Sequence, residues 1–279
     1  MQLRIHHTTT FTYDGKATAS LNQARMTPVT TPEQIVVHNR IEVSPKPWIS
    51  EYRDYFGTYV TSFEVLDPHD QLVVTATSTV QTQRQPASEP VLSWEDLTTH
   101  AVADRWTEYL MRNDLVEPPD DFVERVRRIR EDAARPGEAA RAVCELVYDE
   151  VEYVPGSTQV HTAAAEAWGQ RAGVCQDMTH LAIGGLRKLG IPARYVSGYH
   201  HPSADPVVGE TVTGESHAWL EWWDDGWHAF DPKERIAPDD RYVSVAVGRD
   251  YSDVKPISGI YSGASTSEMS VEVDVTRLD

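Results

Sequence analysis

The chain has 279 residues, of which 40% are hydrophobic, and it carries a formal net charge of −18 at pH 7. This length and apolar content are enough to bury a sizeable core, in one large domain or two modest ones. The acidic excess argues against nucleic acid and anionic membrane surfaces as partners, because both are bound through clustered lysine and arginine.

The first third of the chain has the sequence pattern of β-strands. Segments such as "LRIHHTTTFTY" and "QIVVHNRIEVSP" alternate apolar and polar residues and are rich in Val, Ile, Thr and Tyr. We therefore predict a small antiparallel β domain over residues 1–85. The next residues contain prolines and polar residues without periodicity, which predicts a linker over residues 86–93.

From about residue 94 to residue 150 the apolar residues recur at helical spacing. The segments "SWEDLTTHAVADRWTEYLM", "DDFVERVRRIREDAA" and "GEAARAVCELVYDEVEY" predict three helices, the first capped by Ser93 with Asp96 three residues on. Cys144 shares a face of the third helix with Ala140 and Val147, so we expect a buried structural thiol. Residues 94–279, with a last strand, are assigned to a second domain of mixed helices and strands.

Cys175 has a different setting, because it stands at the start of the helical segment "CQDMTHLAIGGLRKLG". Gly190 and Pro192 predict where this helix ends. At a helix N-terminus the unpaired N–H groups and the helix dipole favour a thiolate, which is the nucleophilic form of cysteine. The same N–H groups can also bind an oxyanion that forms beside the sulfur.

A nucleophilic cysteine needs a base and an orienting carboxylate. The segments "ESHAWLEWW" and "GWHAFDP" predict two antiparallel strands joined by a short turn, with His217 and Asp231 roughly opposite each other. His217 could take the thiol proton through one ring nitrogen while Asp231 binds the other. Each residue alone is a weak indication, since a histidine in a strand is often structural and aspartate before proline often marks a turn.

Other histidines and tryptophans are given structural interpretations. His200 and His201 suggest a metal, but no third ligand stands at a suitable spacing, and no nucleotide motif occurs, so we expect neither a metal nor a cofactor. His180 points away from Cys175 on the same helix and is assigned to packing. The tryptophans at positions 219 to 227 are assigned mainly to core and hairpin packing.

Location and redox state follow from simple features. The two cysteines are too few for a disulfide framework, so we expect reduced thiols. No run of about twenty apolar residues occurs, and the first residues lack the order of a secretory signal. We therefore expect a cytoplasmic location and no membrane partner.

The chain resembles the bacterial transglutaminase-like superfamily of cysteine proteases and acyl transferases. The resemblance is carried by "GVCQDMTHLAIGGLRKLGIPARYVSGY", "SHAWLEWW", "GWHAFDP" and "VAVGRDYSDVKPISGIYSG", and by the β pattern that starts at "LRIHHTTTFTYDG". It implies an α+β fold in which a papain-like core, with the cysteine helix packed on an antiparallel sheet, follows a small antiparallel β domain. It also implies that Cys175 is the nucleophile, His217 the base and Asp231 the orienting acid.

The chemistry implied is acyl transfer from an amide of a peptide or protein through a thioester at Cys175. Water as acceptor makes the protein a peptidase or amidase, which we favour slightly because water is always present, and an amine makes it a protein-glutamine transglutaminase. A non-catalytic binding or scaffold module on the same fold is the alternative from another class.

Several points stay open at the level of the sequence. The resemblance implies a further oxyanion donor, an aromatic or amide side chain upstream of Cys175, and Trp168, Gln170 and Tyr153 are all available for this role. The run from Arg249 to Tyr251, which contains Asp250, either borders the site or closes the fold. The oligomeric state is not indicated.

Overall fold

The predicted N-terminal β region consists of long strands in the computed structural model, which describes residues 1–86, 89–214, 216–263 and 266–279. Two residues of the predicted linker, Ala87 and Ser88, therefore lie outside the described residues. The strands of this region are β1 (Gln2–Ala17), β2 (Ala19–Thr27), β3 (Gln34–Ser44), β4 (Trp48–Arg53), β5 (Tyr59–Val65) and β6 (His69–Thr82).

Helices dominate the middle of the chain, and strands return after the helix that carries Cys175. The middle elements are α1 (His100–Ala103), α2 (Asp120–Asp132), α3 (Pro136–Glu150), β7 (Glu152–Tyr153), α4 (Ala164–Gln170), β8 (Ala172–Gly173) and α5 (Cys175–Lys188). The later elements are β9 (Ala193–His200), β10 (Thr211–Gly214), β11 (Ser216–Trp223), β12 (Trp227–Phe230), β13 (Tyr242–Gly248), α6 (Tyr251–Val254), β14 (Ile257–Ser262) and β15 (Ser267–Arg277).

The first predicted helix, over residues 93–111, is broken into short turns. Two 3-10 turns, Asp96–Thr98 and Thr107–Tyr109, flank the four-residue α1. The expected cap does form, since the Ser93 N–H donates to the Asp96 carboxylate at 2.7 Å. The Thr98 and Thr99 hydroxyls donate to backbone carbonyls three residues back, and such bonds offer the backbone an alternative to helix.

The sheets are antiparallel, apart from the short parallel pair β7–β8, and they join the two ends of the chain. A five-stranded sheet has the order β10-β15-β1-β6-β3, and two four-stranded sheets have the orders β14-β2-β5-β4 and β12-β11-β9-β13. The last strand pairs with the first along its length, from Leu3 with Arg277 to Tyr13 with Ser267. The predicted boundaries at residues 85 and 94 stay a prediction.

Helix α5 lies in the middle of the core. It contacts α2, α3 and α4 on one side and strands β9 and β11 on the other. Gly184 lets the chain before α2 approach closely, because a Cβ there would lie 2.0 Å from the Val116 carbonyl oxygen. Gly190 follows α5 with a φ of +79°, in the left-handed region that often follows a helix. Cys144 is fully buried in α3, as expected. The structure is therefore α+β, as predicted.

Candidate active site

Cys175 is the first residue of α5, where the sequence predicts it. The carboxylate of Asp177 accepts a hydrogen bond from the Val174 N–H at 2.8 Å and another from the Thr158 hydroxyl at 2.6 Å. This cap fixes the first turn of the helix, and burial of Asp177 raises the pKa of its carboxyl. Cys175 itself is only partly buried, so part of the residue is exposed at this helix end.

The structure brings His217 and Asp231 together with Cys175. The Nε2 atom of His217 lies 2.5 Å from Oδ2 of Asp231, and the His217 side chain also forms a hydrogen bond with Cys175. Because Nε2 binds the carboxylate, Nδ1 is the ring nitrogen left for the thiol. The three side chains follow one another in space in the order that a nucleophile, a base and an orienting acid require.

The sequence predicts that His217 and Asp231 lie opposite each other on paired strands, and the structure differs slightly. The register of β11 and β12 places Leu220 opposite Phe230. Asp231 therefore follows β12 beside Trp219, and His217 lies two residues earlier on the same face of β11. The contact is diagonal, which is still within reach of a histidine ring.

The side chain of Asp231 has no exposed surface, and hydrogen bonds hold its carboxylate from several directions. Oδ2 also accepts a hydrogen bond from the Tyr242 hydroxyl at 2.8 Å, and Oδ1 accepts from the N–H groups of Lys233 and Glu234 at 2.8 and 3.1 Å. A buried carboxylate needs such donors to remain charged. Sequence reasoning missed Tyr242, because it comes from β13 and no local pattern links it to Asp231.

The electrostatics favour a charged imidazole in this pair. Burial alone would lower the pKa of His217, but the hydrogen bonds and negative charges of Asp231 and Cys175 outweigh burial and raise the pKa to about 10. Burial of Asp231 works to raise its pKa, and the bond and charge of His217 bring it below its ordinary value. The raised pKa of His217 therefore places a positive charge beside Cys175.

The ring of His200 forms one wall of the site, whereas the sequence suggested only a metal ligand at this position. Its ring centre lies 5.2 Å from that of His217 and 4.3 Å from that of Tyr242. Burial and the charge of His217 lower the pKa of His200 to about 3, so the ring is neutral. Among the described residues, no group of three or more His, Cys, Asp or Glu side chains is arranged to hold a metal ion.

The three residues considered as oxyanion donors lie in different places. Trp168 is buried and donates its indole N–H to Asp121 at 2.7 Å, and Gln170 donates to Glu166 at 3.3 Å. Tyr153 lies on β7 and pairs with Gly173, two residues before Cys175. Of the three, Tyr153 is therefore the one beside the helix end that carries the cysteine.

Within the run after β13, Arg249 and Asp250 close the fold. The carboxylate of Asp250 accepts from the Asn113 amide and from the Ser252 N–H, both at 2.8 Å, and so caps α6. Arg249 pairs with Asp253 at 2.9 Å.

Tyr251, in the same run, connects α6 to the helix that carries Cys175. Its N–H donates to Nε2 of His180 at 3.1 Å, and His180 is fully buried, as expected for packing.

The tryptophans after residue 218 pack as the sequence predicts. Trp219 is fully buried beneath the His217 ring, with ring centres 6.2 Å apart. Trp223 and Trp227 contact each other and Trp106, which comes from the broken first helix.

Comparison with protein families defines the class of this protein. Residues 3–81 match the bacterial transglutaminase-like N-terminal region, and residues 123–232 match the transglutaminase-like superfamily core. The chain belongs to the transglutaminase-like superfamily. A protein of Mycobacterium leprae is 42% identical over 277 residues, covering 99% of both chains, and one of Mycobacterium tuberculosis is 33% identical over 298 residues, covering 99% of this chain and 93% of its own.

A solved structure supports the same fold. A protein from Cytophaga hutchinsonii described as a "Putative Cysteine Protease" has a TM-score of 0.79 and 25% sequence identity, covering 100% of this chain and 91% of its own. A shorter similarity, 34% identity over 73 residues, links the chain to a protein-glutamine gamma-glutamyltransferase of Pseudomonas aeruginosa, covering 25% of this chain and 11% of that one. The predicted family and the predicted core with its N-terminal β region are confirmed.

None of the helices in the described part of the chain combines the length and the apolar character that a membrane span requires.

Proposed function

We propose that the protein is a cysteine-dependent amidase or peptidase that forms a thioester at Cys175. The observation that carries the proposal is the hydrogen-bonded series from Cys175 through His217 to Asp231 at the start of α5. The similarity to a protein described as a cysteine protease supports it. The substrate is an amide of a peptide or protein, and a cytoplasmic location stays a prediction.

The residues account for each proton in such a reaction. The Cys175 thiolate attacks the amide carbonyl, and the first-turn N–H groups of α5 stabilise the oxyanion. The imidazolium of His217 then donates its proton to the leaving amine as the carbon–nitrogen bond breaks. Neutral His217 next takes a proton from the water that attacks the thioester, and collapse of the intermediate releases the acid and the Cys175 thiolate, which restores the thiolate–imidazolium pair. Asp231 holds the ring in one orientation throughout.

A transglutaminase is the second candidate, in which an amine replaces water. The local similarity to a protein-glutamine gamma-glutamyltransferase favours it. A non-catalytic scaffold is less well supported, because Cys175, His217 and Asp231 are all present and meet at the start of α5.

Alkylation of the thiols tests whether Cys175 is activated. Intact protein is treated briefly with iodoacetamide at pH 6, and the adducts are measured by mass spectrometry in the native protein, Cys175→Ala and Cys144→Ala. We expect one adduct that is lost in Cys175→Ala and kept in Cys144→Ala, which serves as the control because Cys144 is buried. Absence of any adduct at pH 6 contradicts the proposal.

The choice of acceptor requires a second assay. A set of glutamine and peptide amides is incubated with and without a primary amine, and the products are identified by mass. Free acid in the presence of amine identifies a hydrolase, and the amine adduct identifies a transglutaminase. If Cys175 is activated and neither product forms from any amide, the scaffold interpretation gains support.

A further inference from the structure

A cavity of about 360 Å³ opens beside the candidate active site. Two of its lining residues are neighbours of the catalytic group. The Val160 carbonyl accepts a hydrogen bond at 3.1 Å from Gln176, which follows Cys175, and Ser216 precedes His217 on β11. The cavity has the size of a small-ligand site, for which volumes of about 300 to 1,000 Å³ are typical.

One side of the cavity is apolar because of the register between the first and last strands. Thr9 lies opposite Val271, and Phe11 lies opposite Met269. Side chains alternate between the two faces of a strand, so Met269 and Val271 share the cavity face. Their exposed fractions are 60% and 46%, so this apolar surface is uncovered.

The alternation also removes acidic groups from the cavity. Glu268 and Glu272 flank the two apolar residues in β15 and therefore point to the opposite face.

The polar groups of the cavity are mostly uncharged. His7 lies between the Tyr199 hydroxyl at 2.8 Å and the Thr9 hydroxyl at 3.2 Å. Burial lowers the pKa of His7 to about 4, so the ring is neutral at neutral pH. Burial also raises the pKa of Tyr251, another lining residue, so its hydroxyl stays protonated.

Lys255 supplies the positive charge of the lining. It follows α6 and is half-buried at the cavity wall. Lys188 and Lys233 pair with glutamates, whereas Lys255 makes no ion pair within the described part of the chain. Since the chain has a formal net charge of −18, an anion is repelled elsewhere and needs a local cation.

We propose that this cavity binds a carboxylate-bearing, apolar portion of the amide substrate, with Lys255 pairing with the carboxylate and Met269 and Val271 covering the apolar group. The proposal rests on the proposed function, because it gives that site a substrate class. A carboxylate next to an apolar group fits a cavity that has one cation on an otherwise neutral and partly apolar wall.

Binding of three matched probes to Cys175→Ala protein tests this without any turnover. N-acetylphenylalanine carries a main-chain carboxylate, N-acetylphenylalanyl-glutamic acid α-amide carries only a side-chain carboxylate, and N-acetylphenylalanine amide carries none. We expect at least one acid to bind tenfold or more tightly than the neutral amide in calorimetry. The acid that binds identifies which kind of carboxylate the cavity prefers.

Variants of Lys255 assign the preference to this residue. In Lys255→Met, combined with Cys175→Ala, the preference for the acid should disappear, and in Lys255→Arg it should remain. Lys16→Met is the matched control, since Lys16 is exposed on β1 away from the cavity lining, and it should keep the preference. Equal binding of acid and amide, or a preference that survives in Lys255→Met, overturns the proposal.

A protection experiment locates the probe and separates the two proposals. The bound acid should slow alkylation of Cys175 in native protein several-fold, and this protection should be lost in Lys255→Met. If the acid binds through Lys255 but no amide is ever turned over, the cavity assignment stands and the proposed function fails. Binding of the acid without protection of Cys175 overturns the cavity assignment, whatever the activity.

Discussion

At the scale of single residues, the hydroxyl of Tyr242 orients the carboxylate that orients His217. The Tyr242 side chain lies in the core and donates to Oδ2 of Asp231, the same oxygen that faces His217. This oxygen therefore has two donors that fix its position. Tyr242 acts through Asp231, so we regard it as a positioning residue.

Tyr242→Phe removes one donor from a buried carboxylate. We expect the free energy of unfolding to fall by about 1.5–3 kcal/mol, as for other hydrogen bonds to charged groups, and alkylation of Cys175 at pH 6 to slow. Urea unfolding and timed mass spectrometry measure the two effects. Tyr13→Phe is the control, because the Tyr13 hydroxyl is also buried and bonded, to Ser20 at 3.3 Å, but lies in the N-terminal region. A change in stability alone in Tyr242→Phe would reduce Tyr242 to a purely structural role.

The His217–Asp231 pair predicts a pH dependence of stability. The pKa of His217 is raised in the folded protein to about 10, so its contribution is complete below its unfolded value of about 6.5 and is lost as pH rises towards 10. The pKa of Asp231 is lowered, so its contribution is present above about pH 3.9 and is lost as pH falls further. The advantage of native protein over His217→Gln should therefore be greatest between about pH 4 and 6.5 and decline towards pH 10. Denaturant unfolding across this range measures it, and a flat difference would contradict the pairing.

At the scale of elements, two glycines in the neighbouring helices α5 and α4 have very different surroundings. Gly184 faces the Val116 carbonyl oxygen so closely that a methyl group has no room. Gly169 in α4 has nothing within 4 Å of the place where a Cβ would stand. The two glycines thus serve different purposes in neighbouring helices.

Alanine at the two glycines should have opposite effects. Gly184→Ala should lower the free energy of unfolding by about 1–3 kcal/mol through overpacking against backbone. Gly169→Ala should raise it by up to about 0.5–1 kcal/mol, because alanine restricts the unfolded chain and suits a helix. Paired thermal or urea unfolding measures both, and equal effects would show that the approach of α5 to Val116 is not tight.

The helices and strands also show which features of the fold can be predicted from sequence patterns. The start of α5 could be predicted from helical periodicity, and the pairing of His217 with Asp231 from strand alternation, because both are local signals. The approach of Cys175 to this pair was implied by the family resemblance. The broken segment before α2 was predicted as one helix, since periodicity does not report hydroxyl bonds such as that of Thr98.

Contacts between distant strands could not be predicted from the sequence. Tyr242 and His200 pair across β13 and β9, and their place beside His217 depends on a register that no short motif encodes. The cavity beside the site has the same origin, because its walls come from both ends of the chain.

At the scale of the whole molecule, the first and last strands share one sheet and one core. Leu3 and Ile5 of β1 and Val273 and Val275 of β15 are buried in the cluster that also contains the residues of α5. The N-terminal region therefore leaves part of its apolar surface to be covered by the rest of the chain.

Expressed alone, residues 1–85 should not fold cooperatively. The fragment lacks β15, so β1 would have an open edge and its buried apolar residues would be exposed. Circular dichroism should show no cooperative melting of the fragment and a single transition for the full chain. A cooperative melt of the fragment would instead support an independent domain with the predicted boundary.

The register of β15 also limits how this protein can diverge. A shift of one residue would exchange the faces of the whole strand, bringing Glu268 and Glu272 to the cavity and taking Val273 and Val275 out of the core. An insertion or deletion within the strand that altered the cavity would therefore also disrupt the packing of the core and destabilise the protein. Relatives that acquire a new ligand preference should do so by substitution at positions 269 and 271, with the length of the strand unchanged.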